Sequence, residues 1–310
     1  MVREHTIDSG LIHHAWDRDL APALVIEPGD TVHFDLLMAG DGQVSEGATI
    51  EQAAFDFETI YNLSGPVAVE GAEPGDTLEI EILSLRPGEW GWTVFLPELG
   101  LLAEDFPDAY LTTWDLRGGE RATLVPGVEV PFAPFLGTMG NCVEEPGRHL
   151  PFPPHRGGGN MDNRHLVEGS TLWLPVLCDG ALFSCGDPHA AQGDGEVCVS
   201  AIECGMQATL RFHLRKRSIP APAFRSPPGP LGASAASAGY YATMGIAPDL
   251  MEGAKAAVRS MIAWLVEGQG LSREDAYVLC SVAGDLKILE VVDAGVWNVS
   301  MAMPLAVFVS

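Results

Sequence analysis

Positive charge is scarce in this chain. Its 310 residues include 17 lysines and arginines against 42 aspartates and glutamates, which gives a formal net charge of −25 at pH 7. A field of this sign repels phosphate backbones and anionic lipid headgroups, so we expect no nucleic-acid partner and no membrane partner. It mildly favours a neutral or cationic small molecule, or a divalent cation, although solubility alone would also account for the acidity.

Long apolar runs are also missing. The N-terminal stretch MVREHTIDSGLIHHAW has no apolar segment of the signal-peptide type. No later run approaches the roughly 18 apolar residues of a membrane span. We therefore expect a cytoplasmic protein.

No C-x-x-C pair occurs, so we expect buried thiols rather than a zinc–thiolate cluster. The six cysteines are Cys142, Cys178, Cys185, Cys198, Cys204 and Cys280.

Familiar nucleophile motifs are absent as well. The chain has no Gly-x-Ser-x-Gly elbow and no lysine-rich cluster of the amidase-signature type, so a serine nucleophile has no support. Cys142, in the sequence Gly-Asn-Cys, could act as a nucleophile, but no base stands at a diagnostic spacing from it.

A repeated turn-and-strand unit indicates a β-rich fold. The sequence EPGDTV at 27–32 returns as EPGDTL at 73–78. Proline followed by glycine predicts a type II turn, and the alternation after the second copy places Leu78, Ile80 and Ile82 on one strand face. Thr-Leu pairs at 171–172 and 209–210 open similar runs. This spacing is typical of a sandwich or barrel built from hairpins.

The composition changes after residue 217. We interpret 1–217 as a β-rich region that carries Gly-rich site loops, and 218–239 as a Pro/Ala/Ser-rich connector. Residues 240–310 then form a helical hairpin with closing strands, integrated with the first region into one domain. The predicted fold class is mainly β, sandwich- or barrel-like and α+β overall, with the C-terminal helical hairpin packed on the sheets.

The hairpin has clear boundaries. Asp249 and the apolar stripe from Leu250 to Val266 predict a first helix that Gly268 and Gly270 end. Ser272 opens a second helix, which runs to about Ala283. Strands at 286–292 and 297–309 are expected to follow.

Polar residues that could perform chemistry concentrate in two predicted Gly-rich loops, 157–163 and 186–196. The second contains Asp187, His189, Asp194 and Glu196, a mixed nitrogen and oxygen set that suits Zn²⁺. Two alternatives stay open: the Asp-Gly pairs could simply build turns, or the three carboxylates could form an all-oxygen Ca²⁺ site. The segments His13–Asp17 and Asp41–Gln43 are further candidate contributors.

These segments together resemble the acetamidase/formamidase family, from about His13 to the C-terminal strands. The residues that carry the resemblance occur in the expected order. They are HHAW at 13–16, EPGDTV at 27–32, GPVAVEGAEPGDTL at 65–78, GNMD at 159–162, GALF at 180–183 and GDPHAAQGDGE at 186–196. The sequence departs from the family pattern at 137–142, where members often continue Gly-Val-Ala-Pro, and at Cys185.

The resemblance implies hydrolysis of a short linear amide to a carboxylate and ammonia, in a β-rich fold that self-associates and in some members carries a metal. We expect a homodimer or homotetramer and a divalent metal that activates water, Zn²⁺ in the first place and Ca²⁺ as the alternative. The predicted metal ligands are Asp162, His189, Asp41 and His13.

Glu196 is the predicted proton shuttle, with Asp194 as the second catalytic candidate. Spacing does not separate ligands from bases among Asp187, Asp194 and Glu196. Residues expected to contact the substrate are Asn160, Trp16 and Cys142. Two other functions stay open: hydrolysis of a lactam or larger amide, and a non-catalytic β-sandwich binding protein stabilised by Ca²⁺.

Overall fold

The structure, a computed structural model, describes residues 3–227, 239–290 and 297–309. The strands in chain order are β1 Glu4–Ile7, β2 Ile12–His13, β3 Leu24–Ile26, β4 Thr31–Leu36, β5 Leu63–Val69, β6 Thr77–Phe95, β7 Tyr110–Asp115, β8 Arg121–Val125, β9 Val128–Pro131, β10 Phe135–Gly140, β11 Gly158–Asn160, β12 Thr171–Pro175, β13 Phe183–His189, β14 Glu203–Arg215, β15 Ala223–Arg225, β16 Tyr240–Ala247, β17 Asp285–Glu290 and β18 Trp297–Pro304. The helices are α1 Leu250–Gln269 and α2 Arg273–Ala283. The predicted mainly-β class with C-terminal helices is confirmed, and the described strands do not close into a barrel.

The two copies of the repeated unit begin equivalent strands. Gly29 and Gly75 have φ of +104° and +96°, as the third position of a type II turn requires. Strands β4 and β6 follow these turns and lie on either side of β14. The predicted face of β6 is buried, with Leu78 and Ile80 at 0% exposure. The repeat therefore supplies two neighbours of one central strand.

The largest sheet brings distant segments side by side. Its main path runs β11-β10-β13-β14-β6-β12-β15, with β4 also pairing β14 and β5 also pairing β13. Strands β10, β13 and β14 therefore lie next to one another, although about 60 residues of chain separate the first from the last in sequence. A three-stranded sheet, β16-β18-β17, and the β8-β9 hairpin complete the described strands.

The helix boundaries follow their caps. The Asp249 carboxylate accepts the Glu252 amide at 3.0 Å, and α1 ends where Gly270 takes a left-handed φ of +72°. Gly268 lies inside the last turn, so its predicted role as a stop was wrong. Helix α2 begins after Ser272 as predicted, and its residues 276–283 are all buried.

Several other boundaries differ from the prediction. The connector contains β15, which pairs with β12; its residues 228–238 lie outside the described part of the chain. Strand β18 ends at Pro304, where a 3-10 helix at Leu305–Val307 follows. The predicted strand at 286–292 appears as β17, and residues 291–292 are not among those described. The division into domains stays a prediction.

Helix α1 packs against the three-stranded sheet. The Tyr241 ring stacks on Trp264 at 4.2 Å between centroids, and the Thr243 hydroxyl donates to the Ala257 carbonyl at 2.7 Å. Within the described residues, neither helix is long and apolar enough to cross a membrane. All six cysteines are buried free thiols, as predicted.

Candidate active site

A cavity of about 270 Å³ opens beside the central strands. Four acidic residues lie in its lining: Asp162, Asp187, Glu196 and Glu203. The imidazole of His189 lies next to them and is fully buried. The rest of the cavity lining is largely aromatic and aliphatic. This combination of an acidic floor and apolar walls makes it the candidate active site.

Strand pairing positions the buried half of the cluster. His189 at the end of β13 lies opposite Glu203 at the start of β14. Its Nε2 is 3.1 Å from Glu203 Oε2 and 3.5 Å from Asp187 Oδ1. The other Glu203 oxygen accepts the Ala201 amide at 2.9 Å. Asp187, His189 and Glu203 thus form one compact buried group.

Asp162 comes just after β11, which pairs with β10 in antiparallel fashion. The Gly137 carbonyl accepts the amides of Met161 and Asp162 at 3.0 and 3.1 Å, and this fixes the turn that follows β11. A Cβ atom on Gly137 would lie 2.6 Å from Asp162 Oδ1 and 2.8 Å from both Asp187 Oδ2 and His189 Cε1. Only glycine at this position lets the three side chains converge.

Glu196 belongs to the segment between β13 and β14, which rests on helix α2. Gly193 donates to the Ser281 carbonyl at 2.7 Å, and the Cys198 amide donates to the Ser281 hydroxyl at 3.2 Å. The Tyr277 hydroxyl donates to the Val197 carbonyl. The C-terminal helix thereby holds the segment that presents Glu196 to the cavity.

Three of the four carboxyl-bearing residues have unusual backbone angles. Asp162, Asp187 and Glu196 have positive φ values of 45°, 53° and 41°. This region costs a non-glycine residue about 1–2 kcal/mol. The surrounding sheet maintains that strain, and strain of this kind clusters at functional sites.

The crowding of acidic groups changes their protonation. Burial and the nearby Asp187 raise the pKa of Asp162 to about 8. Burial and Asp162 together raise the pKa of Glu196 well above its usual value. Burial opposes the charge on His189, but Glu203 and Asp187 outweigh it and raise the pKa of this imidazole well above its usual range. The cluster therefore retains protons at neutral pH unless a cation replaces them.

Several buried polar atoms of the cluster make no well-aligned hydrogen bond among the described residues, although His189 Nε2 lies 3.1 Å from Glu203 Oε2. They are Asp162 Oδ1, Glu203 Oε2, Gln192 Oε1 and both ring nitrogens of His189. Two overlapping sets have ligand atoms that all lie within 4.8 Å of one another: Asp162, His189 and Glu196, and Asp187, His189 and Glu203. A metal ion bound in either set would be coordinated by these oxygen and nitrogen atoms and so would give them a partner.

A neutral network borders the acidic groups. Asn160 donates to Asp162 Oδ2 at 2.9 Å and to the Tyr61 hydroxyl at 3.3 Å, and it accepts from the Thr138 hydroxyl at 2.7 Å. Burial and the negative charge of Asp187 raise the pKa of Tyr61. Its phenol therefore stays protonated and can donate a hydrogen bond into the cavity.

The structure brings four of the predicted site residues together: Asp162, His189, Glu196 and Asn160. It places Asp194 apart from them, with His165 at 3.6 Å and Lys287 at 4.0 Å as its ionic neighbours. Asp41 is exposed on a turn and does not line the cavity.

His13, Trp16 and Cys142 lie in or beside a second cluster. The His13 ring nitrogens are 2.8 Å from the Ala15 carbonyl and 2.8 Å from the Ser184 hydroxyl, so both already have partners. Trp16 and Cys142 are buried in a small apolar cluster and do not appear in the cavity lining. A hydrogen bond with Cys178 and burial raise the pKa of the Cys142 thiol, which disfavours a thiolate nucleophile.

His155 contacts this second cluster through an edge-to-face arrangement with Trp16, at 5.1 Å between centroids. Its Nδ1 accepts the Gly157 amide at 3.1 Å, while Nε2 is buried without a partner among the described residues. Burial and the neighbouring His149 lower the pKa of His155 to about 4. The ring is therefore neutral at physiological pH.

Sequence reasoning missed Glu203 and Tyr61; it singled out 137–142 as a departure from the family pattern but gave Gly137 no role of its own. Glu203 follows the Gly-rich segment by only seven positions, but its role depends on the β13–β14 register. The predicted loops are also partly strands, since Gly158–Asn160 is β11 and Gly186–His189 is the end of β13. Asp187 and His189 are thus held more rigidly than loop residues would be.

Comparison with known proteins gives consistent matches. The profile of the Acetamidase/Formamidase family matches residues 2–151 and 145–310. The chain is 28% identical over 256 residues to the acetamidase of Mycolicibacterium smegmatis, which covers 62% of this chain and 63% of that protein. It therefore spans a little under two thirds of the length of this curated relative.

Solved structures share the fold along nearly the whole chain. The γ-lactamase from Delftia acidovorans superposes with a TM-score of 0.89 at 25% identity, covering 98% of this chain and 93% of that one. The acetamidase from Bacillus halodurans superposes with a TM-score of 0.68 at 29% identity, covering 97% of both chains.

Proposed function

This chain belongs to the acetamidase/formamidase family, and from that premise we propose that it hydrolyses a small uncharged amide to a carboxylate and ammonia. The observation that carries the proposal is the convergence of four carboxyl groups and one imidazole on a single cavity. Amide hydrolysis needs a base for water, a donor for the carbonyl oxygen and a proton for the leaving nitrogen. Two lining residues meet these needs: Glu196 serves as base and as proton donor to nitrogen, and Tyr61 donates to the carbonyl oxygen.

Glu196 is the proposed general acid–base. It is half-buried and faces the cavity. Burial and the nearby Asp162 raise its pKa, which makes its ionised carboxylate a stronger base for the water proton. As the water oxygen bonds to the carbonyl carbon, Glu196 takes the water proton. It then passes that proton to nitrogen as the carbon–nitrogen bond breaks, so that ammonia leaves and the acid remains.

Two neighbours assist this transfer. Asn160 holds Asp162 through a 2.9 Å hydrogen bond and so orients its carboxyl beside Glu196. The Tyr61 hydroxyl lines the same cavity, and its proton is available to the substrate carbonyl oxygen. A buried donor aimed at a developing oxyanion contributes about 10²–10³ in rate in other hydrolases.

A divalent cation fits the buried half of the cluster. Asp187, His189 and Glu203 offer one nitrogen and two oxygen ligands, and the His189 and Glu203 atoms that make no well-aligned hydrogen bond lie there. The alternative set keeps the predicted ligands Asp162 and His189 together with Glu196. An imidazole in either set favours Zn²⁺ over Ca²⁺. When bound, such an ion polarises a carbonyl and lowers the pKa of water.

The test is ammonia release from primary amides by the purified protein and by Glu196→Gln. We expect the variant to lose at least about 10²-fold in kcat, within the range for a removed acid–base group. Glu98→Gln is a matched control, because Glu98 also has a positive φ, of 68°, but is exposed to solvent. Near-wild-type kcat for Glu196→Gln would remove Glu196 from the mechanism.

Lactam hydrolysis is the second candidate function. The backbone superposes on the Delftia acidovorans γ-lactamase with a TM-score of 0.89, above the 0.68 for the Bacillus halodurans acetamidase. The same residues would open a ring amide, but no ammonia would leave. Two parallel assays separate the activities: chromatography monitors ring opening of a small lactam, and the ammonia assay monitors hydrolysis of linear amides.

The expected homodimer or homotetramer also stays a proposal, which light scattering of the purified protein would test. Cytoplasmic location stays a prediction as well. A Ca²⁺-stabilised binding protein remains the non-catalytic alternative. It would lose thermal stability on chelation without any turnover to lose.

A further inference from the structure

We propose that the preferred substrate carries a bulky uncharged acyl group, a ring or branched chain of about five to eight carbons, rather than the one or two carbons of formamide or acetamide. This inference rests on the proposed function, because it assigns the acyl side of the same cavity. It follows from the size, the lining and the charge distribution of that cavity.

The cavity is too large for a minimal amide. Its volume of about 270 Å³ corresponds to about nine water molecules at ~30 Å³ each. Acetamide has four non-hydrogen atoms, so it would leave more than half of this space to water. An apolar wall that remains wet contributes nothing to binding.

Much of the lining beyond the acidic groups is aromatic. The ring centroids of Phe57 and Phe152 are 6.1 Å apart, and those of Phe152 and Tyr61 are 4.7 Å apart in an edge-to-face arrangement. Phe55 packs against Trp92 at 5.7 Å between ring centroids. All five rings line the cavity. Together they form an acyl wall suited to a flat or branched hydrocarbon group.

Part of this wall is still exposed to solvent. Phe57 is 45% exposed, Phe152 37%, Leu99 36% and Val199 39%. These four residues share one cavity rather than being scattered over the surface. A contiguous apolar lining of this kind is what a ligand would cover.

The acidic residues of the lining cluster around His189. Within the described residues, the lining contains four acidic groups and no lysine or arginine. An acyl group with a carboxylate would be repelled from the floor and would lose hydration against the rings. The amide therefore faces Glu196 and Asp162, while the uncharged acyl group lies on the aromatic rings.

The expected preference is large enough to measure. Each methylene buried on the wall multiplies kcat/KM by about fourfold, if its burial is fully realised in the transition state. For benzamide or cyclohexanecarboxamide against acetamide, we expect at least a 10²-fold higher kcat/KM. Butyramide should fall between them.

The experiment measures ammonia release across acetamide, butyramide, hexanamide, cyclohexanecarboxamide and benzamide, for the wild type, Phe57→Ala and Phe152→Ala. We expect both variants to lose at least tenfold more kcat/KM on the ring amides than on acetamide. Phe224→Ala is the matched control, because Phe224 is also 45% exposed but lies outside the cavity. Its kinetics should equal those of the wild type.

The outcomes separate two failures. A kcat/KM that is highest for acetamide, or an equal loss on all amides in both variants, would overturn the acyl assignment and leave amide hydrolysis standing. Preference for an acyl group that carries an ammonium over its neutral analogue would also overturn it. No ammonia from any amide by folded protein would overturn the proposed function and this inference with it.

Discussion

Gly137 offers a sharp test of the candidate site, because it separates catalysis from folding. The glycine lies on β10 and has an ordinary φ, so alanine is compatible with its backbone. Its only obstacle is space. The added methyl carbon would lie 2.6 Å from Asp162 Oδ1 and 2.8 Å from Asp187 Oδ2 and His189 Cε1.

The size of the effect follows from these distances. To reach van der Waals separation of about 3.5 Å, the three groups must retreat by about 0.7–0.9 Å. Displacements of about 1 Å in an active site cost about 10² in rate. Overpacking by one methyl group costs about 1–3 kcal/mol of folding free energy. We therefore expect kcat to fall about 10²-fold in a protein that still folds.

The assay pairs ammonia release with urea unfolding for the wild type, Gly137→Ala and a control, Gly118→Ala. Gly118 also has an ordinary φ, and the nearest atom to its added Cβ lies 3.8 Å away. The control should match the wild type in both measurements. Full activity in Gly137→Ala, with its folding confirmed, would refute the assignment of this cluster as the reacting centre.

Two further predictions concern metal and pH. Chelation should lower Tm and abolish ammonia release, and Zn²⁺ should restore both; full turnover by demonstrably metal-free protein would leave the carboxyl groups to act alone. His155 should destabilise the protein in acid. Its folded pKa of about 4 lies below the unfolded value of 6.5, so stability is intact above pH 6.5 and falls by up to about 3 kcal/mol as the pH drops to 4. Between pH 7 and 4, His155→Asn should lose less free energy of unfolding than the wild type, as measured with urea. An equal loss in both proteins would contradict the role given to His155.

Local patterns predicted the elements that local physics controls. The Pro-Gly turns before β4 and β6 depend on backbone angles that the two residues set themselves. The start of α1 depends on the Asp249 side chain and the Glu252 amide, three positions apart. Gly268 was misjudged as a stop because a glycine inside a helix costs only about 1 kcal/mol, which tertiary packing can offset.

The residues of the candidate site also fall into those that local sequence identified and those that only the structure could place. Asp162, His189 and Glu196 were found because they lie in Gly-rich segments whose composition is conspicuous. Asp194 lies two positions from Glu196 and looked equivalent in sequence. The structure turns it toward His165 and Lys287 instead, and nothing in the spacing could show this.

By itself, the sequence determined the acidity, the β-rich class, the helix caps and the segments that hold the reactive side chains, because each depends on composition or on neighbours a few residues apart. Only the tertiary structure decided which of those side chains meet. Glu203 reaches His189 through the register between β13 and β14, and Gly137 admits Asp162 and Asp187 by lacking a side chain on a third strand. Contacts between strands arise from pairing across the sheet, and one-dimensional spacing does not encode that pairing.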